Sequence, residues 1–467
     1  MINLELSPEQ DLIKKTAKDF AQKHLSPGVI ERDEKSIFPS SQVEALGQLG
    51  FMGMMVPEKW GGAGLDTISY TLAIEEIAAV ELATSTIMSV NNSLVCQALL
   101  DWGNDLQKKE YLVPLASGLK LGAYSLSEPE SGSDARKMKT YAEKVGSDYL
   151  INGTKNWVTS GHNSDFIIFF CRTNLNDKKD EVSAFIIDKN TTGLSLGKKE
   201  DKLGLRASDT CQLYFENCKL PKENRIGDEG QGFSIAMNAL GGGRIGIAAQ
   251  AVGLARTALE KAISYSKERK QFGRPISSFG AIQNKLADIA TNVQSARLLV
   301  WQAAYLKEID NASKKRALII GAGGVSPSVI LSLQKSGVQE ISVTNRTEEK
   351  CIFLKNKFNK LKIIEWKKLQ EELKNFDIII NATSLGLKDN KDFDFNFDHT
   401  KSNLIYIDTI YNPLETKTLK YLKKMDIKVF NGLDMFIYQG QKAFYLWNKI
   451  NPEVDDELLK LLESKLN

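Results

Sequence analysis

The sequence is poor in the residues that most often bind metals, since only three of its 467 residues are histidines and five are cysteines. No Cys-x-x-Cys or His-x-x-x-His spacing occurs. The cysteines are spread widely along the chain, at Cys96, Cys171, Cys211, Cys218 and Cys351. This pattern argues against a metal site and favours reduced thiols in a cytoplasmic protein.

Three further absences narrow the range of partners. No apolar run is long enough to span a bilayer, which argues against a membrane protein. The first residues, MINLELSPEQDLIKK, carry early acids and no apolar core, so they do not resemble a secretory signal. The net charge of only +3 predicts neither a nucleic-acid partner nor an acidic one. The length is sufficient for two to four domains of about 100–200 residues each.

Residues 1–119 are predicted to form a helical domain. The stretch SPEQ at 7–10 is a capping box with proline at the first helical position. Apolar residues then recur at helical spacing, and the same period returns over 67–83, 91–102 and 106–117.

Residues 120–230 change to a strand-rich pattern. Short runs of Val, Ile, Phe and Tyr are separated by turn residues, including those at 146–148 and 174–180. Several short strands with turn signals predict an antiparallel β-sandwich or barrel. The predicted strands are 121–127, 140–145, 149–154, 166–171, 182–188 and 210–218.

Residues 231–312 return to helical periodicity, with two long helices predicted at 237–269 and 282–308. Residues 313–467 then alternate strands with helices, which predicts a parallel, doubly wound Rossmann-like α/β domain. Its predicted strands are 316–320, 340–344, 362–364, 376–380, 404–407 and 427–429, and an amphipathic helix is predicted at 453–465. No Gly-, Ser- or Pro-rich linker separates the two regions near 310–315.

Four ordered motifs in the first two-thirds of the chain resemble those of acyl-CoA dehydrogenases. They are YSLSEPESGSD at 124–134, KNWVT at 155–159, GGRI at 242–245 and ERKQFG at 268–273. The resemblance covers residues 1 to about 309 and agrees with the helical, β and helical order read from periodicity. Taken singly, a tryptophan is more often a core residue and Gly-Ser-Asp more often a turn, so order and spacing carry the resemblance.

The resemblance implies a flavoprotein that removes a proton beside a thioester and passes hydride from the next carbon to FAD. It implies that Arg269 and Phe272 hold the flavin of a neighbouring subunit in a homo-oligomer, in this family a tetramer. It also implies acyl-CoA contacts from Ser133 and Arg244. The implied flavin contacts within the chain are Tyr124, Leu126, Ser127, Gly132, Ser133, Trp157 and Thr159.

The chain departs from the family at positions that contact flavin or supply the catalytic base. Gly280 stands where the family has a glutamine that contacts flavin, and Gly241 where it has Asp or Asn. The helices that carry the family's catalytic glutamate are replaced by the α/β region. Some relatives place the base just before the arginine of the long helix, and that position is Gly243. No catalytic residue is therefore predicted.

A glycine-rich turn follows the first strand of the α/β region. Gly321, Ala322, Gly323, Gly324 and Val325 lie between a predicted strand and a predicted helix, which is the context of a dinucleotide-binding turn. After the second strand, Arg346 stands where NAD enzymes have an acid. An arginine there accommodates a 2′-phosphate, so NADP is favoured over NAD.

The α/β region also resembles the C-terminal domain of shikimate dehydrogenases. The motifs are NRT at 345–347, NATSLG at 381–386, YNPLET at 411–416 and NGLDM at 431–435, followed by Gln439. The resemblance implies substrate-side contacts from Tyr411 and Gln439, which would otherwise be read as helix-end packing. It implies NADP contacts from the glycine turn and from Asn345, Arg346, Thr347, Lys350, Thr409 and Gly432.

The sequence leaves three functional classes open. The first is an FAD-dependent dehydrogenase of short or medium acyl-CoA thioesters, impaired because both families are represented incompletely. The second is an NADP-dependent shikimate dehydrogenase, although that family's substrate domain, with its catalytic Lys and Asp, is replaced by the acyl-CoA dehydrogenase region. The third is a non-catalytic nucleotide-binding chimera.

Overall fold

A computed structural model describes most of the chain. The described residues are 5–174, 181–313, 315–358, 360–387, 393–401, 403–450, 452, 454–455, 458–459, 461–462 and 464. They form two compact units, Met1–Tyr305 and Leu306–Asn467. Most of the turn predicted at 174–180 and much of the helix predicted at 453–465 lie outside the described residues.

The first unit begins with a helical region, as predicted. Its first helix has the predicted capping box, since the Gln10 amide donates to Ser7 Oγ at 3.1 Å and the Ser7 amide to Gln10 Oε1 at 3.0 Å. The helices are α1 (Pro8–Phe20), α2 (Val29–Glu34), α3 (Ser40–Gln48), α4 (Thr67–Ala78), α5 (Leu82–Ser89), α6 (Gln97–Trp102), α7 (Asp105–Gln107) and α8 (Val113–Ala116), with π-helical segments at Ala21–Leu25, Val90–Cys96 and Lys108–Leu112.

An eight-stranded sheet follows, with every predicted strand present. Most neighbouring strands are antiparallel, but β1 and β2 each pair with β4 in parallel. The prediction of an antiparallel sheet was wrong for these two pairs, because strand and turn patterns do not indicate which strands lie side by side. The strands are β1 (Gly122–Ser125), β2 (Tyr141–Val145), β3 (Asp148–Thr159), β4 (Phe166–Asn174), β5 (Glu181–Asp188), β6 (Leu194–Leu196), β7 (Thr210–Leu220) and β8 (Arg225–Ile226).

Two long helices complete the first unit, α9 (Gly232–Glu268) and α10 (Gly280–Ser313). Helix α10 continues past Tyr305, the last residue of that unit. Between them lies a short hairpin of β9 (Lys270–Gln271) and β10 (Arg274–Pro275). Helix α9 lies close against α4, because a Cβ on Gly253 would be only 2.4 Å from the Glu75 carbonyl oxygen. Arg256 donates twice to Glu76 at 2.7 Å, and Arg297 of α10 donates to Glu75 at 2.8 Å.

The second unit has one parallel six-stranded sheet in the order β13-β12-β11-β14-β15-β16. The order reverses at β11, which creates a crevice at the carboxyl ends of β11 and β14, where doubly wound sheets bind ligands. The elements are β11 (Arg316–Ile320), α11 (Ser326–Lys335), β12 (Glu340–Thr344), α12 (Glu348–Lys357), β13 (Lys362–Ile363), α13 (Leu369–Glu372), β14 (Ile378–Asn381), β15 (Ile405–Asp408), α14 (Lys417–Lys424), β16 (Lys428–Phe430) and α15 (Leu433–Asn448).

These six strands agree with the predicted ones to within two residues, and the doubly wound prediction is confirmed. The central strands β11, β12 and β14 are short runs rich in Ile, Leu and Val, and almost all of their residues are buried, which the sequence pattern identifies directly. Within the described part of the chain, no helix is long and apolar enough to cross a membrane.

A buried ion pair ties the loop after β1 to strand β3. Lys155 Nζ lies 2.7 Å from Glu128 Oε1, and the two side chains are 0% and 4% exposed. The carboxylate also accepts the backbone amides of Thr140, at 3.1 Å, and Lys139. Burial alone would raise the pKa of Glu128, but the charge of Lys155 and these hydrogen bonds outweigh it and hold the pKa below its ordinary value. Glu128 is therefore ionised at neutral pH.

Replacing Lys155 by methionine should strongly destabilise the first unit. The change leaves the Glu128 carboxylate buried without its cation, which typically costs about 3–5 kcal/mol of unfolding free energy. Chemical denaturation followed by circular dichroism measures the loss. The matched control is Lys35→Met, which breaks an exposed pair with Glu31 and should leave stability nearly unchanged. Equal effects of the two substitutions would contradict the assignment.

The same pair predicts a pH dependence of stability. Because the folded pKa of Glu128 is lowered, its contribution is complete above its ordinary pKa of 4.5 and is lost as the pH falls through the folded pKa. Denaturation of the parent chain and of Glu128→Gln at a series of pH values separates this contribution. The difference between the two curves should shrink below pH 4.5; a difference that is constant with pH would count against the lowered pKa.

Candidate functional sites

The loop after β1 is fixed against β3 by two hydrogen bonds. The Asn156 amide donates to the Ser127 carbonyl at 2.8 Å, and Lys155 Nζ donates to the Leu126 carbonyl at 3.2 Å. Leu126 and Ser127 are both half-buried. These bonds bring two predicted flavin residues next to a third, Trp157.

Trp157 lies at an irregularity of β3 and is not a core residue. Its side chain is 60% exposed and its φ is +60°, which is rare for a bulky residue. The pairing register of β3 with β7 shifts between Lys155 and Val158, and such a bulge redirects a side chain. Thr159, two residues further, is half-buried. The exposed indole beside the loop offers a flat apolar surface that fits a flavin ring.

Two buried polar atoms near this loop lack hydrogen-bond partners in the described structure. They are Ser125 Oγ and Asn156 Oδ1, which precede Leu126 and Trp157 respectively. Unsatisfied buried oxygens carry a free-energy cost and are commonly satisfied by a ligand or water. The loop and the bulge therefore fit a polar planar cofactor such as FAD.

Tyr124, a predicted flavin contact, joins β1 to α9 through its side chain. Its ring is buried in the core, and its hydroxyl lies 3.4 Å from the carbonyl oxygen of Ala236 at the start of α9. The side chain therefore anchors β1 to α9, and only its backbone remains for a cofactor. A motif position does not indicate which way a side chain points, so the role of Tyr124 toward flavin stays a prediction.

Gly132 and Ser133 are both exposed in the loop that follows. A Cβ on Gly132 would meet no atom within 4 Å, so the glycine is not required by contacts within this chain. Open space on this side leaves room for the close approach of a ligand to the backbone.

Arg269 and Phe272 lie far from the loop after β1 of the same chain, which carries the predicted flavin contacts Leu126 and Ser127. Tyr124 contacts Ala236 near the start of α9, and Arg269 follows the end of that helix, about 50 Å away at roughly 1.5 Å per residue. Phe272 is 93% exposed at the tip of the β9–β10 hairpin, with a left-handed φ of +51°. In a single chain these two residues cannot contact the same cofactor as Trp157, which agrees with the implied role toward a neighbouring subunit.

The position of the alternative base, Gly243, faces the π-helical segment before α6. A Cβ there would lie 2.8 Å from Leu94 Cδ2 and 3.8 Å from Ser93 Oγ. Its nearest neighbours are thus an apolar and a hydroxyl side chain, not a carboxylate. Arg244, the predicted acyl-CoA contact, is exposed. Gly280 is also exposed, and a Cβ there would meet no atom within 4 Å.

The glycine turn of the second unit has the geometry of a dinucleotide cradle. Gly321 has a φ of +116°, and a Cβ there would be 2.6 Å from the Ala382 carbonyl oxygen, so only glycine fits. By contrast, a Cβ on Gly324 would meet nothing within 4 Å. Ser326 Oγ donates to the Gly321 carbonyl at 3.0 Å, which fixes the start of α11 at the turn. The open space before this helix fits the pyrophosphate of a dinucleotide.

The end of β12 is joined to this turn through Asn345. The Asn345 Oδ1 accepts the Ala322 amide at 3.3 Å, and its Nδ2 donates to the Thr347 carbonyl at 2.9 Å. Arg346 and Lys350 are exposed beside the start of α12. The structure thus brings Ala322, Asn345 and Thr347 together and leaves two cations at the edge of the crevice.

Thr409 and Gly432 also meet at the carboxyl edge of the sheet. A Cβ on Gly432 would lie 2.2 Å from the Thr409 carbonyl oxygen, so the contact requires glycine. Tyr411 stacks on Phe436 of α15 with ring centroids 4.4 Å apart. Gln439, one turn further along α15, is exposed and lines a cavity of about 280 Å³ together with Phe436.

Sequence reasoning missed a buried carboxylate, Asp408, that immediately precedes Thr409. It is 1% exposed, and burial raises its pKa to about 6, an effect only partly offset by hydrogen bonds from Ile410, Thr416 and Asn381. The available signal was an acid at the end of a strand that is otherwise apolar.

Comparison with known families matches four stretches of the chain. Three belong to acyl-CoA dehydrogenase: its N-terminal domain over residues 7–119, its middle domain over 123–218 and its C-terminal domain over 230–320. The fourth is Shikimate / quinate 5-dehydrogenase over residues 304–409. The last two overlap, and the overlap includes β11.

Individual relatives are similar to the first unit. The mitochondrial short-chain specific acyl-CoA dehydrogenase of Rattus norvegicus is 45% identical over 306 residues, which cover 66% of this chain and 74% of that protein. The structure of butyryl-CoA dehydrogenase from Megasphaera elsdenii matches with a TM-score of 0.64 and 39% identity, covering 72% of this chain and 88% of that one. An acyl-CoA dehydrogenase of Bacillus anthracis, complexed with FAD, matches with a TM-score of 0.62 and 33% identity, covering 67% of this chain and 53% of that one.

Motifs, fold and relatives agree over the same residues. The two resemblances inferred from the motifs correspond to the matched families, in the same order along the chain. The chain therefore belongs to the acyl-CoA dehydrogenase family, and it continues into a domain of the shikimate / quinate 5-dehydrogenase family.

Proposed function

We propose that the chain is an FAD-dependent oxidoreductase of the acyl-CoA dehydrogenase type, for short or medium acyl-CoA thioesters, in which dehydrogenation is impaired. The observation that carries the proposal is Gly243, which faces Leu94 and Ser93 where some relatives hold the base. The other family base would come from helices beyond α10, and there the chain forms β11 and the rest of the Rossmann sheet.

The residues around the β3 irregularity would hold the cofactor, which when bound supplies a hydride acceptor. Leu126 and Ser127 would hydrogen-bond the ring through backbone and hydroxyl groups, Trp157 would pack on it, and the Thr159 hydroxyl would reach its edge. Ser133 and Arg244, both exposed, would contact the acyl-CoA.

Glu128 is a poor replacement for the missing base. Its carboxylate is already engaged by Lys155 and two backbone amides, and its pKa is held below the ordinary value. A general base works best when its pKa lies near the working pH and a lone pair faces the substrate. Glu128 meets neither condition, so it serves to position the flavin loop.

The proposal for the second unit is NADP(H) binding. It is supported by the glycine-only position at Gly321, by the open space at Gly324 and by the exposed Arg346. A guanidinium beside the adenosine ribose suits a 2′-phosphate. The contact of Thr409 with Gly432 would form the opposite side of the same crevice.

Shikimate dehydrogenase activity is the second candidate function. It is favoured by the family match over 304–409 and by the stacking of Tyr411 on Phe436 close to Gln439. The substrate lobe of that family would precede this domain, and acyl-CoA dehydrogenase domains occupy that place. Nucleotide binding without either reaction is the third candidate.

A homo-oligomer is proposed because Arg269 and Phe272 could serve only the flavin of another copy. Apolar side chains exposed along α9 and α10 add to the tendency to associate: Ile247, Leu254, Ile289, Leu299 and Leu306. A cytoplasmic location is proposed from the five buried, unbridged cysteines. No nucleic-acid or membrane partner is proposed.

The Rossmann unit should prefer NADPH to NADH, and Arg346→Asp should reduce that preference. Loss of a charged hydrogen bond to the 2′-phosphate should weaken NADPH binding by about tenfold or more and leave NADH binding little changed. Fluorescence titration with both nucleotides measures the ratio. The matched control is Lys335→Asp, the same charge change in the last turn of α11. Equal affinity of the parent chain for both nucleotides would refute the preference.

Flavin should bind weakly and incompletely. The family's later helices are replaced by the α/β region, and Gly280 stands where the family has a glutamine that contacts flavin, so the cofactor should have fewer contacts. The exposed apolar side chains of α9 and α10 favour association of chains. Purification followed by an absorption spectrum should show well under one FAD per chain after gel filtration, with association of chains in the same profile. One FAD per chain that survives gel filtration would contradict this prediction.

The chain loaded with FAD should not dehydrogenate acyl-CoA at a useful rate, and Gly243→Glu should restore activity. A positioned general base typically contributes about 10²–10⁴-fold in rate. Because the new Cβ would lie 2.8 Å from Leu94 Cδ2, the substitution is also made together with Leu94→Ala. The assay is butyryl-CoA-dependent reduction of an electron acceptor.

The matched control for this test is Gly241→Glu. It adds the same carboxylate to the same helix at an exposed position where a Cβ would meet nothing within 4 Å. Only the variants at 243 should gain activity. Family-like turnover by the unmodified chain would disprove the proposed impairment, and inactivity of every variant would place a further defect in the truncated helical bundle.

A further inference from the structure

A buried carboxylate lies where the loops of the proposed nucleotide crevice meet. Asp408 ends β15 and is 1% exposed. Its Oδ1 accepts Asn381 Nδ2 at 3.0 Å and the Ile410 amide at 3.1 Å. Its Oδ2 accepts the Thr416 hydroxyl at 3.0 Å. One side chain thus joins the end of β14, the loop after β15 and the start of α14.

The first branch of this network reaches the glycine turn. Asn381 Nδ2 also donates to the Leu385 carbonyl at 3.1 Å, while its Oδ1 accepts the amide and the hydroxyl of Thr383 at 3.0 and 2.7 Å. Asn381 therefore shapes the loop 382–385. That loop lies close against the glycine turn, since the Ala382 carbonyl oxygen would be 2.6 Å from a Cβ on Gly321.

The second branch reaches the opposite side of the crevice. The Ile410 carbonyl accepts the Gly432 amide at 2.8 Å. The Thr416 hydroxyl caps α14 by accepting the Leu419 amide at 3.3 Å. Asp408 holds both Ile410 and Thr416, so it fixes the segment 409–416 that carries Thr409 and Tyr411.

The charge of Asp408 does not serve stability. Its three donors are neutral groups, and burial raises its pKa from 3.8 to about 6. Because the folded pKa is higher than the ordinary one, the folded state binds the proton more tightly than the unfolded state. The contribution of Asp408 to stability therefore falls as the pH rises above 3.8. At neutral pH the ionised Asp408 therefore lowers the free energy of unfolding. This favours a role in holding the surrounding loops rather than in stabilising the fold.

We propose that Asp408 is the positioning residue of the nucleotide crevice: through Asn381 and Ile410 it holds the loops 382–385 and 409–416 in the arrangement that binds NADP(H). This inference rests on the proposed binding of NADP(H) by the second unit. Asp408 acts through its neighbours and need not touch the nucleotide.

The test compares Asp408→Ala with Asp408→Asn. Alanine removes both acceptor oxygens and with them all three hydrogen bonds, so it should raise the Kd for NADPH by about tenfold or more, the effect expected from losing charged hydrogen bonds. Asparagine keeps the oxygen that accepts from Asn381 and Ile410, so it should stay within about threefold of the parent. Asn381→Ala interrupts the first branch and should weaken binding if Asp408→Ala proves too unstable to purify.

The control separates positioning from stability. Leu373 is buried just before the amino end of β14, away from the crevice. Leu373→Ala should lower the melting temperature without changing the Kd of the folded protein. Parent-like NADPH affinity in both Asp408→Ala and Asn381→Ala would overturn the proposal.

A nucleotide-independent readout distinguishes this proposal from the one it rests on. Hydrogen exchange should accelerate in peptides spanning 381–387 and 409–416 in Asp408→Ala, and asparagine should restore protection. If the parent chain fails to bind NADPH but the two variants show this exchange pattern, the proposal of NADP(H) binding is wrong and Asp408 still orders the loops. Unchanged exchange in both segments would overturn the positioning role whether or not nucleotide binds.

Discussion

The close contact of α9 with α4 fixes the geometry of the acyl-CoA dehydrogenase part. Only glycine is accommodated at Gly253, where a Cβ would be 2.4 Å from the Glu75 carbonyl oxygen, and the paired bonds of Arg256 to Glu76 lock the register. The same helix contacts Tyr124 of β1 near its start, and the hairpin beside Arg269 follows its end. It also determines that position 243 faces Leu94. The proposed loss of catalysis thus has two sources: Gly243 on this helix, and the α/β region that stands where the family's later helices would follow α10.

The two units depend on their surroundings to different degrees. The crevice of the second unit is built from loops at one sheet edge, joined by Asp408 and Asn381 within that unit. The loop after β1, by contrast, holds only part of the proposed flavin site, since Arg269 follows the end of α9, about 50 Å from the contact of Tyr124 with Ala236 at roughly 1.5 Å per residue. A nucleotide site can therefore be complete in one copy of the second unit, whereas the flavin site that we propose would take Arg269 and Phe272 from a second copy.

Much of the fold could be predicted from local sequence signals, and the remainder depends on tertiary contacts. The strands of the Rossmann sheet are apolar runs bounded by polar residues, and the glycine turn lies in the expected context, so both were predictable. The buried ring of Tyr124 and the exposed ring of Trp157 were not, because their directions depend on α9 and on a bulge in β3. Asp408 was missed because its three partners come together only when the sheet assembles.

Proton removal from the acyl-CoA is the step on which the account depends most directly. The chain loaded with FAD is incubated with butyryl-CoA in deuterated buffer, and deuterium at the carbon beside the thioester is measured by mass spectrometry. Exchange reports a working base even where no hydride is transferred. The account predicts incorporation no faster than in buffer alone, because Gly243 supplies no carboxylate and Glu128 is bound to Lys155. Enzyme-dependent deuterium incorporation by the unmodified chain would contradict it.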